Sequence, residues 1–214
     1  MKIAIVIPAY NEAASIGEIV GAVSKFGIPI VVDDGSTDGT AEIAEAAGAT
    51  IVRLEINSGY DGALERGFSE ASEIGADIAI TFDADGQHDP NSLPDFVSLL
   101  ERRVADLVIG VRPKPARLME AMFGYYTRIR YGVPDVLCGL KGYRMELYRN
   151  HGCFDSTNSI GTELTLATLR GGGRVMTVPV PISGRDGSPR LGRTLRSNFK
   201  ILRAMAIGIC RDLM

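Results

Sequence analysis

The sequence predicts an α/β domain, a mostly parallel sheet with helices on both faces. Three observations predict it. Near-continuous β-branched runs recur through the first half: KIAIVI, IPIVVDD, ATIVRLE, ADIAITFDAD and ADLVIG. Strands apolar along their whole length are buried on both faces, as parallel strands are. Helical spacing fills the gaps between them, and that alternation gives right-handed β-α-β crossovers. Finally, the runs end in polar residues, as expected where a doubly wound sheet holds its ligand at the carboxyl ends of the strands.

In order, residues 2–7 read as the first strand, and Ile16, Ile19, Val20 and Val23 as the buried face of a helix. Residues 28–34 form the second strand; Asp38 can then cap a helix that runs to Ala47 and stops at Gly48. ATIVRLE is the third strand, followed by a helix over 62–74. The fourth and fifth strands are ADIAITFDAD and ADLVIG. VRPKPAR is irregular, and a helix is predicted over 117–131. CGLKGYR suggests a short strand, and GTELTLATL a helix ended by Gly171, Gly172 and Gly173. RVMTVPVPI is the last strand, placed at an edge by Pro179 and Pro181.

Composition narrows the function. The 214 residues are 45% hydrophobic and 23% charged, an ordinary globular balance. A net charge of -3 gives no global basic field, so nucleic acid is not an expected partner. Cys138, Cys153 and Cys210 show neither zinc spacing nor a disulfide framework, and a reducing cytosol is the expected compartment. The opening apolar run is too short for a signal peptide, and no run reaches the roughly 20 residues of a membrane span.

Polar groups converge on one rim. The first strand runs into Pro8, Tyr10, Asn11 and Glu12, the second into Asp33, Asp34, Gly35 and Ser36, the fourth into Asp83, Asp85, Gln87 and His88, and the fifth into Arg112. Asp83 and Asp85, two apart on an extended chain, would face one way. Carboxylates that close repel unless a cation sits between them, and a hard ion such as Mg²⁺ or Mn²⁺ would leave positions for diphosphate oxygens. His88 is either a neighbour of that ion site or a solvated turn residue. Tyr60 and its glycines shape the start of a helix, and His151 reads as a surface loop residue. A D-x-D-G phosphatase is a second reading, but Gln87 stands where Thr or Val is normal, and the motif is on the fourth strand.

VIPAYNEAASI, VVDDGSTDGT, NSGYDGALERGF, FDADGQHDP, CGLKGYR and the late TELT…VPVPI…GRDGS resemble the family-two glycosyltransferases of the GT-A, Rossmann-like fold, in order and over nearly the whole chain. The subgroup resembled is the dolichyl-phosphate mannose synthases and polyprenyl-phosphate glucose enzymes. The resemblance implies that Pro8, Tyr10 and Glu12 hold the donor nucleoside, with Val32 and Asp34 against its base. Asp33 either joins them or ties down the turn. Asp83 would face the ribose or sugar, Ala84 would contribute backbone, and Asp85 and Gln87 would hold Mg²⁺ or Mn²⁺. Arg112 would reach the donor sugar or phosphates, Arg117 the acceptor phosphate, and Arg185 the diphosphate. The chain departs from these relatives at Cys138-Gly139-Leu140, where S-G-F is common, and at Ser188-Pro189-Arg190, where Ser-Lys is common.

The implied reaction is inverting hexose transfer, with mannose from GDP-mannose onto a polyprenyl or dolichyl phosphate as the leading expectation and UDP-glucose as the alternative donor. An alcohol acceptor would need a general base, for which Glu163 is the candidate; a phosphate acceptor, with a second pKa of about 6, would not. Glu163 could instead serve the N-terminus of its helix. A sugar nucleotidyltransferase or a non-catalytic sugar-nucleotide-binding module are the other classes in play. Residues 1–190 are read as the catalytic domain and 191–214 as a basic amphipathic helix. There Leu191, Leu195, Phe199, Leu202, Ala206, Ile209 and Leu213 recur on one face, with Arg193, Arg196, Lys200 and Arg203 beside it. From Arg185 on, seven basic and two acidic residues give +5, against -8 for the rest. Such a helix either lies peripherally on the cytoplasmic membrane face or packs on the domain or a second subunit.

Overall fold

The computed structural model describes residues 1–115, 117–181 and 194–213, the last segment with side chains from residue 198 onward. The apolar runs form β1 (Ile3–Ala9), β2 (Ile28–Asp33), β3 (Thr50–Arg53), β4 (Ile78–Thr81) and β5 (Leu107–Val111). Between them lie α1 (Ile16–Val23), α2 (Thr40–Ala46), α3 (Gly59–Glu73) and α4 (Leu93–Glu101). After β5 come α5 (Leu118–Tyr131), β6 (Lys141–Arg144), α6 (Met145–His151), α7 (Glu163–Arg170), β7 (Val175–Pro179) and α8 (Thr194–Leu213). The sequence reading lacks α4 and α6. His151, read as a loop residue, ends α6.

The seven strands form one sheet in the order β3-β2-β1-β4-β6-β5-β7. Only β6 runs antiparallel to its neighbours, β4 and β5; every other pairing is parallel. This reversal matters for the site. Lys141, the first residue of β6, pairs with Thr81, the last of β4. Cys138, Gly139 and Leu140 therefore approach the edge at which the parallel strands end. β7 is an edge strand, where Pro179 costs no ladder hydrogen bond on its open side.

Alternation along β1 divides the core. Ile3, Ile5 and Ile7 join the layer that holds α1 and α4, and Ala4 and Val6 join the layer that holds α3. All four spaced residues of α1 are buried, as their period predicts.

Helix α8 packs against α5 and α7. Ile201 and Ala204 enter the same core layer as Phe68 and Phe123. At Gly208 a Cβ would come within 2.9 Å of the Leu166 side chain, so the two helices approach closely. The Tyr131 hydroxyl donates to Asp212 at 2.6 Å, the Tyr126 hydroxyl donates to its other oxygen, and Arg170 pairs with it at 3.2 Å. The buried face is thus not the one the large apolar residues predict: Phe199, Leu202 and Leu213 face outward. Small residues set the close helix contact, and a count of Leu and Phe positions does not register them. The boundary read at 190/191, with Leu191 and Arg193, falls outside the described residues, as do the side chains of Leu195 and Arg196.

Candidate active site

The loops after β1 and β2 are stitched together by side chains from DDGSTDGT. The Asn11 N–H donates to Ser36 Oγ at 2.8 Å and the Thr37 N–H to Asn11 Oδ1 at 2.8 Å. The Glu12 N–H donates to Thr40 Oγ1 at 2.8 Å and the Ala13 N–H to Asp38 Oδ2 at 3.1 Å. Asp38 also accepts from the Thr40 N–H, so it supports the start of α2 as its position suggests. These bonds to backbone N–H groups, with the Thr40 hydroxyl, hold its carboxyl below the usual range against the slight burial that opposes ionisation. The Ser15 hydroxyl donates to Ala84 O at 2.7 Å and so ties the turn after β4 to the start of α1. Pro8, Tyr10 and Glu12 accordingly share one rim with the Asp83–Gln87 turn.

The two aspartates of the second strand differ from their expected division of labour. Asp33 accepts from the Ser36 N–H at 3.0 Å and ties down the turn. Asp34, expected against the donor base, is almost wholly buried and caps α3 from outside it. It accepts from the Ser58 N–H at 2.6 Å, the Ser58 hydroxyl at 3.0 Å and the Gly59 N–H at 2.8 Å. A carboxylate there satisfies orphan N–H donors and sits favourably in the helix dipole. Val32, expected beside the base, is fully buried in the α3 core layer. Val31, on the other face of β2, is equally buried in the α1 layer, so both faces of this strand are core.

The chain is not extended at Asp83 and Asp85. β4 stops at Thr81, and residues 84–86 turn, with Gly86 at φ +72. Asp85 Oδ1 accepts from the Gln87 N–H at 3.1 Å. Asp83 is half-buried and held from two sides. His88 Nε2 lies 3.2 Å from Asp83 Oδ2, and the Tyr60 hydroxyl donates to Oδ1 at 3.4 Å. Burial opposes the charge on Asp83, but the His88 and Tyr60 hydrogen bonds, helped by the Arg112 charge, hold its carboxyl below the ordinary range. Gly139 is required here: a Cβ on it would fall 2.0 Å from Asp83 Oδ2. His88 is buried rather than solvated, edge-on to Phe82, and among the described residues its Nδ1 has no hydrogen-bond partner. Tyr60, read as a helix-start residue, thus reaches the site as well.

The arginines are held by acids. Arg112 forks onto Asp135, Nε to Oδ2 at 2.8 Å and Nη2 to Oδ1 at 2.9 Å, and pairs with Glu120 at 3.1 Å. Burial opposes its charge, but these acids keep it firmly protonated. Arg117 pairs with the other oxygen of Glu120 at 2.8 Å. One buried carboxylate therefore joins the arginine expected on the donor to the arginine expected on the acceptor phosphate. Neither Asp135 nor Glu120 is visible from motif reading, because Asp135 follows Arg112 by 23 residues and Glu120 lies within α5. Arg185 lies outside the described residues.

Glu163 stands apart from the rim. It accepts from the Ser156 N–H at 2.7 Å and the Thr157 N–H at 3.1 Å, and pairs with Arg211 at 2.8 Å. Burial alone would raise its pKa; Arg211 and the Ser156 bonds outweigh this and hold it at about 2. A group so acidic and so fully engaged makes a poor proton acceptor near neutrality, so the general-base expectation gives way to a structural one. His151, Cys153 and Glu163 bring potential ligand atoms within 4.8 Å of one another. Arg211 already supplies the positive charge there.

Lys141 is a further buried group that the sequence reading left unassigned. Its Nζ donates to Gly161 O at 2.8 Å, and burial lowers its pKa to about 8, against the opposing pull of Cys138, Asp135 and other nearby acids. It braces the Gly161 turn, which the Asp61 carboxylate also holds through the Gly161 N–H at 2.6 Å.

Residues 4–152 match the model of Glycosyl transferase family 2. An uncharacterized protein of Methanocaldococcus jannaschii is 32% identical over 94% of this chain and 89% of its own. The undecaprenyl-phosphate mannosyltransferase of Micrococcus luteus is 32% identical over 87% of this chain and 85% of its own. Among solved structures, glucosyl-3-phosphoglycerate synthase of Mycobacterium tuberculosis in complex with Mn²⁺, UDP and glucosyl-3-phosphoglycerate superposes with a TM-score of 0.74 at 24% identity, covering 95% of this chain and 79% of that one. The sheet with its one reversed strand, the stitched rim and these matches agree: the chain belongs to glycosyl transferase family 2 and has the GT-A-like α/β fold.

Proposed function

We propose that this glycosyltransferase is an inverting, divalent-metal-dependent enzyme that moves a hexose, mannose from GDP-mannose in the leading case, onto a polyprenyl phosphate. The observation that carries the reading is the rim itself. The β1 and β2 loops, the Asp83–Gln87 turn and the Arg112–Glu120–Arg117 chain all border one edge of the sheet. The similarity to an undecaprenyl-phosphate mannosyltransferase supports the lipid-phosphate acceptor. UDP-glucose is the second donor reading, favoured by the fold shared with a protein solved with UDP.

Asp85 and Gln87 would hold the ion. Their donor set, one carboxylate and one amide oxygen on a half-buried turn, suits a hard cation that keeps open positions. When bound, Mg²⁺ or Mn²⁺ would act as a Lewis acid toward the departing diphosphate. Tyr10 and Glu12 would bind the nucleoside, with Pro8 and Ala84 as backbone. Asp34 would act by fixing the α3 start, and Asp83 would face the sugar from its His88 and Tyr60 bonds. Arg112 and Arg185 would add fixed positive charge as negative charge develops. Arg117 would orient the acceptor phosphate, whose dianion needs no base. The anchored state of Glu163 fits that economy. Among the described residues no helix is long and apolar enough to cross a membrane; the location proposed, from the lipid-phosphate acceptor, is peripheral on the cytoplasmic face.

The test is a thermal-shift screen of GDP-mannose and UDP-glucose with and without Mn²⁺. A donor at 100 times its Kd adds about 2.7 kcal/mol. A metal-dependent rise with GDP-mannose supports the leading reading, and one with UDP-glucose alone moves the donor assignment. No rise with either nucleotide sugar defeats the proposal.

A further inference from the structure

Helix α5 starts at Leu118, directly after Arg117, which is its N-cap with an extended backbone. A cation there opposes the helix dipole, whose positive end already lies at the N-terminus. Glu120, in the first turn, answers that charge with its 2.8 Å pair to Arg117. An acid at this position is favoured in any helix. A helix start does not require the second pair. The other oxygen of Glu120 meets Arg112 at 3.1 Å, a residue delivered by the end of β5. The Glu120 side chain is 6% exposed, against 18% for Arg112 and 24% for Arg117. The carboxylate is shut away from solvent while both guanidiniums keep an exposed part.

Asp135 completes the set by taking the Arg112 fork at 2.8 and 2.9 Å. Among these four side chains two cations face two carboxylates, so their charges cancel. Two arginines without such acids would hold any phosphate tightly, whether acceptor, product or departing diphosphate. Tight binding of a ground-state anion lowers KM without raising turnover. The arginines here act instead as aimed hydrogen-bond donors at close range, with their longer-range field offset.

We propose that Glu120 is a positioning residue for transfer: it holds Arg112 and Arg117 as one pair of fixed spacing, and its charge limits how tightly that pair grips anions in the ground state. The inference rests on the reading above, in which these arginines meet the donor and acceptor phosphates. Transfer moves negative charge from the acceptor phosphate toward the leaving diphosphate, and a pair joined through one carboxylate spans both ends of that movement.

The sign of the effect follows from two opposed terms. An anion on the far side of a guanidinium lies roughly 7 Å from the carboxylate, where at an effective dielectric of about 20 one charge changes affinity by roughly fiftyfold. Releasing one arginine side chain costs at most about thirtyfold in lost order. A glutamine at the position still accepts one N–H, so less than that is lost. Removing the charge should therefore tighten phosphate binding and slow the reaction, the opposite of what deleting a binding contact does.

The test uses the full chain. Calorimetry gives the Kd of a short, water-soluble prenyl phosphate and of GDP and UDP with Mn²⁺, and hexose transfer gives kcat and the acceptor KM. Glu120→Gln should tighten the prenyl phosphate Kd by about threefold and lower kcat by about tenfold, with KM unchanged or lower. Glu120→Asp keeps the charge but is one methylene shorter, so Kd should return to within about twofold of the parent while kcat stays about threefold down. Melting curves check each fold; if the Gln variant unfolds, the Asp variant decides, and parental kcat in it overturns the proposal. Glu120→Gln with a lower Tm but parental kcat, KM and Kd is the pattern of a helix-start acid and also overturns it, as does a weaker Kd. A parent that binds both kinds of probe but transfers no hexose defeats the function reading, and the Kd comparison still decides Glu120. Transfer in the parent with every constant unmoved in Glu120→Gln does the reverse. A parent that binds neither prenyl phosphate nor nucleotide overturns both.

Discussion

Replacing Glu163 by Gln separates its two possible roles. The carboxylate is held at about 2, against an ordinary value of 4.5, by Arg211 and by the N–H and hydroxyl groups of Ser156 and Thr157, which together outweigh its burial. That depression corresponds to about 3 kcal/mol of folding stability. The sign follows from the lowered folded-state value. The contribution is complete above about pH 4.5 and is lost as the pH falls toward about 2. Gln keeps one acceptor but not the charge, so Glu163→Gln should cost about 2–3 kcal/mol at pH 7. For a chain of this size that is a fall in Tm of roughly 5–10 °C. The variant should also lose part of the acid sensitivity between pH 4.5 and 2. Sugar transfer, measured below the lowered Tm, should stay within about threefold of the parent, because loss of a general base typically costs 10²–10⁴. An unchanged Tm together with a hundredfold fall in turnover would refute the structural assignment and restore Glu163 as the base.

Two further substitutions test the rim. In Gly139→Ala the new methyl group would sit 2.0 Å from Asp83 Oδ2, so Asp83 must leave His88 and Tyr60; calorimetry should show donor affinity down about tenfold, at a stability cost of about 1–3 kcal/mol, and unaltered affinity would mean that Asp83 does not face the donor. Asp135→Asn leaves Glu120 as the acid on Arg112, and urea unfolding should register a loss of about 2 kcal/mol, less than for breaking an isolated buried pair; a midpoint within error of the parent would count against the clamp.

How much of this was legible beforehand varies with the kind of force involved. The apolar runs of β1, β2 and β5 and the spaced face of α1 declared themselves, because burial on both sides of a parallel sheet demands apolar residues throughout. The rim was legible as a set, since the polar ends of four strands must share one edge. Individual roles there were not. Asp33 and Asp34 are adjacent and alike, and only the distance to the α3 N-terminus made Asp34 the cap. Val32 looked available to a ligand base, but β2 is covered on both faces and its side chain is core. Tyr60 and His88 act on Asp83 from 23 and 5 residues away, contacts that no local pattern encodes. The same holds for Asp135, which meets Arg112 across a 23-residue excursion containing α5. In α8 the amphipathic period was correctly strong, but the helix packs through Ile201, Ala204 and Gly208 and leaves Phe199, Leu202 and Leu213 outside.

The measurement closest to the central claim is hexose transfer from a labelled nucleotide sugar to a polyprenyl phosphate, run with Mg²⁺ or Mn²⁺ and with a chelator, for the parent and for Asp85→Ala. The account predicts a lipid-extractable β-linked sugar phosphate that requires the ion, and a loss of most turnover in Asp85→Ala without a lower Tm. Undiminished transfer in the chelator, or full activity in Asp85→Ala, would contradict the assignment of the Asp83–Gln87 turn as the metal and donor site.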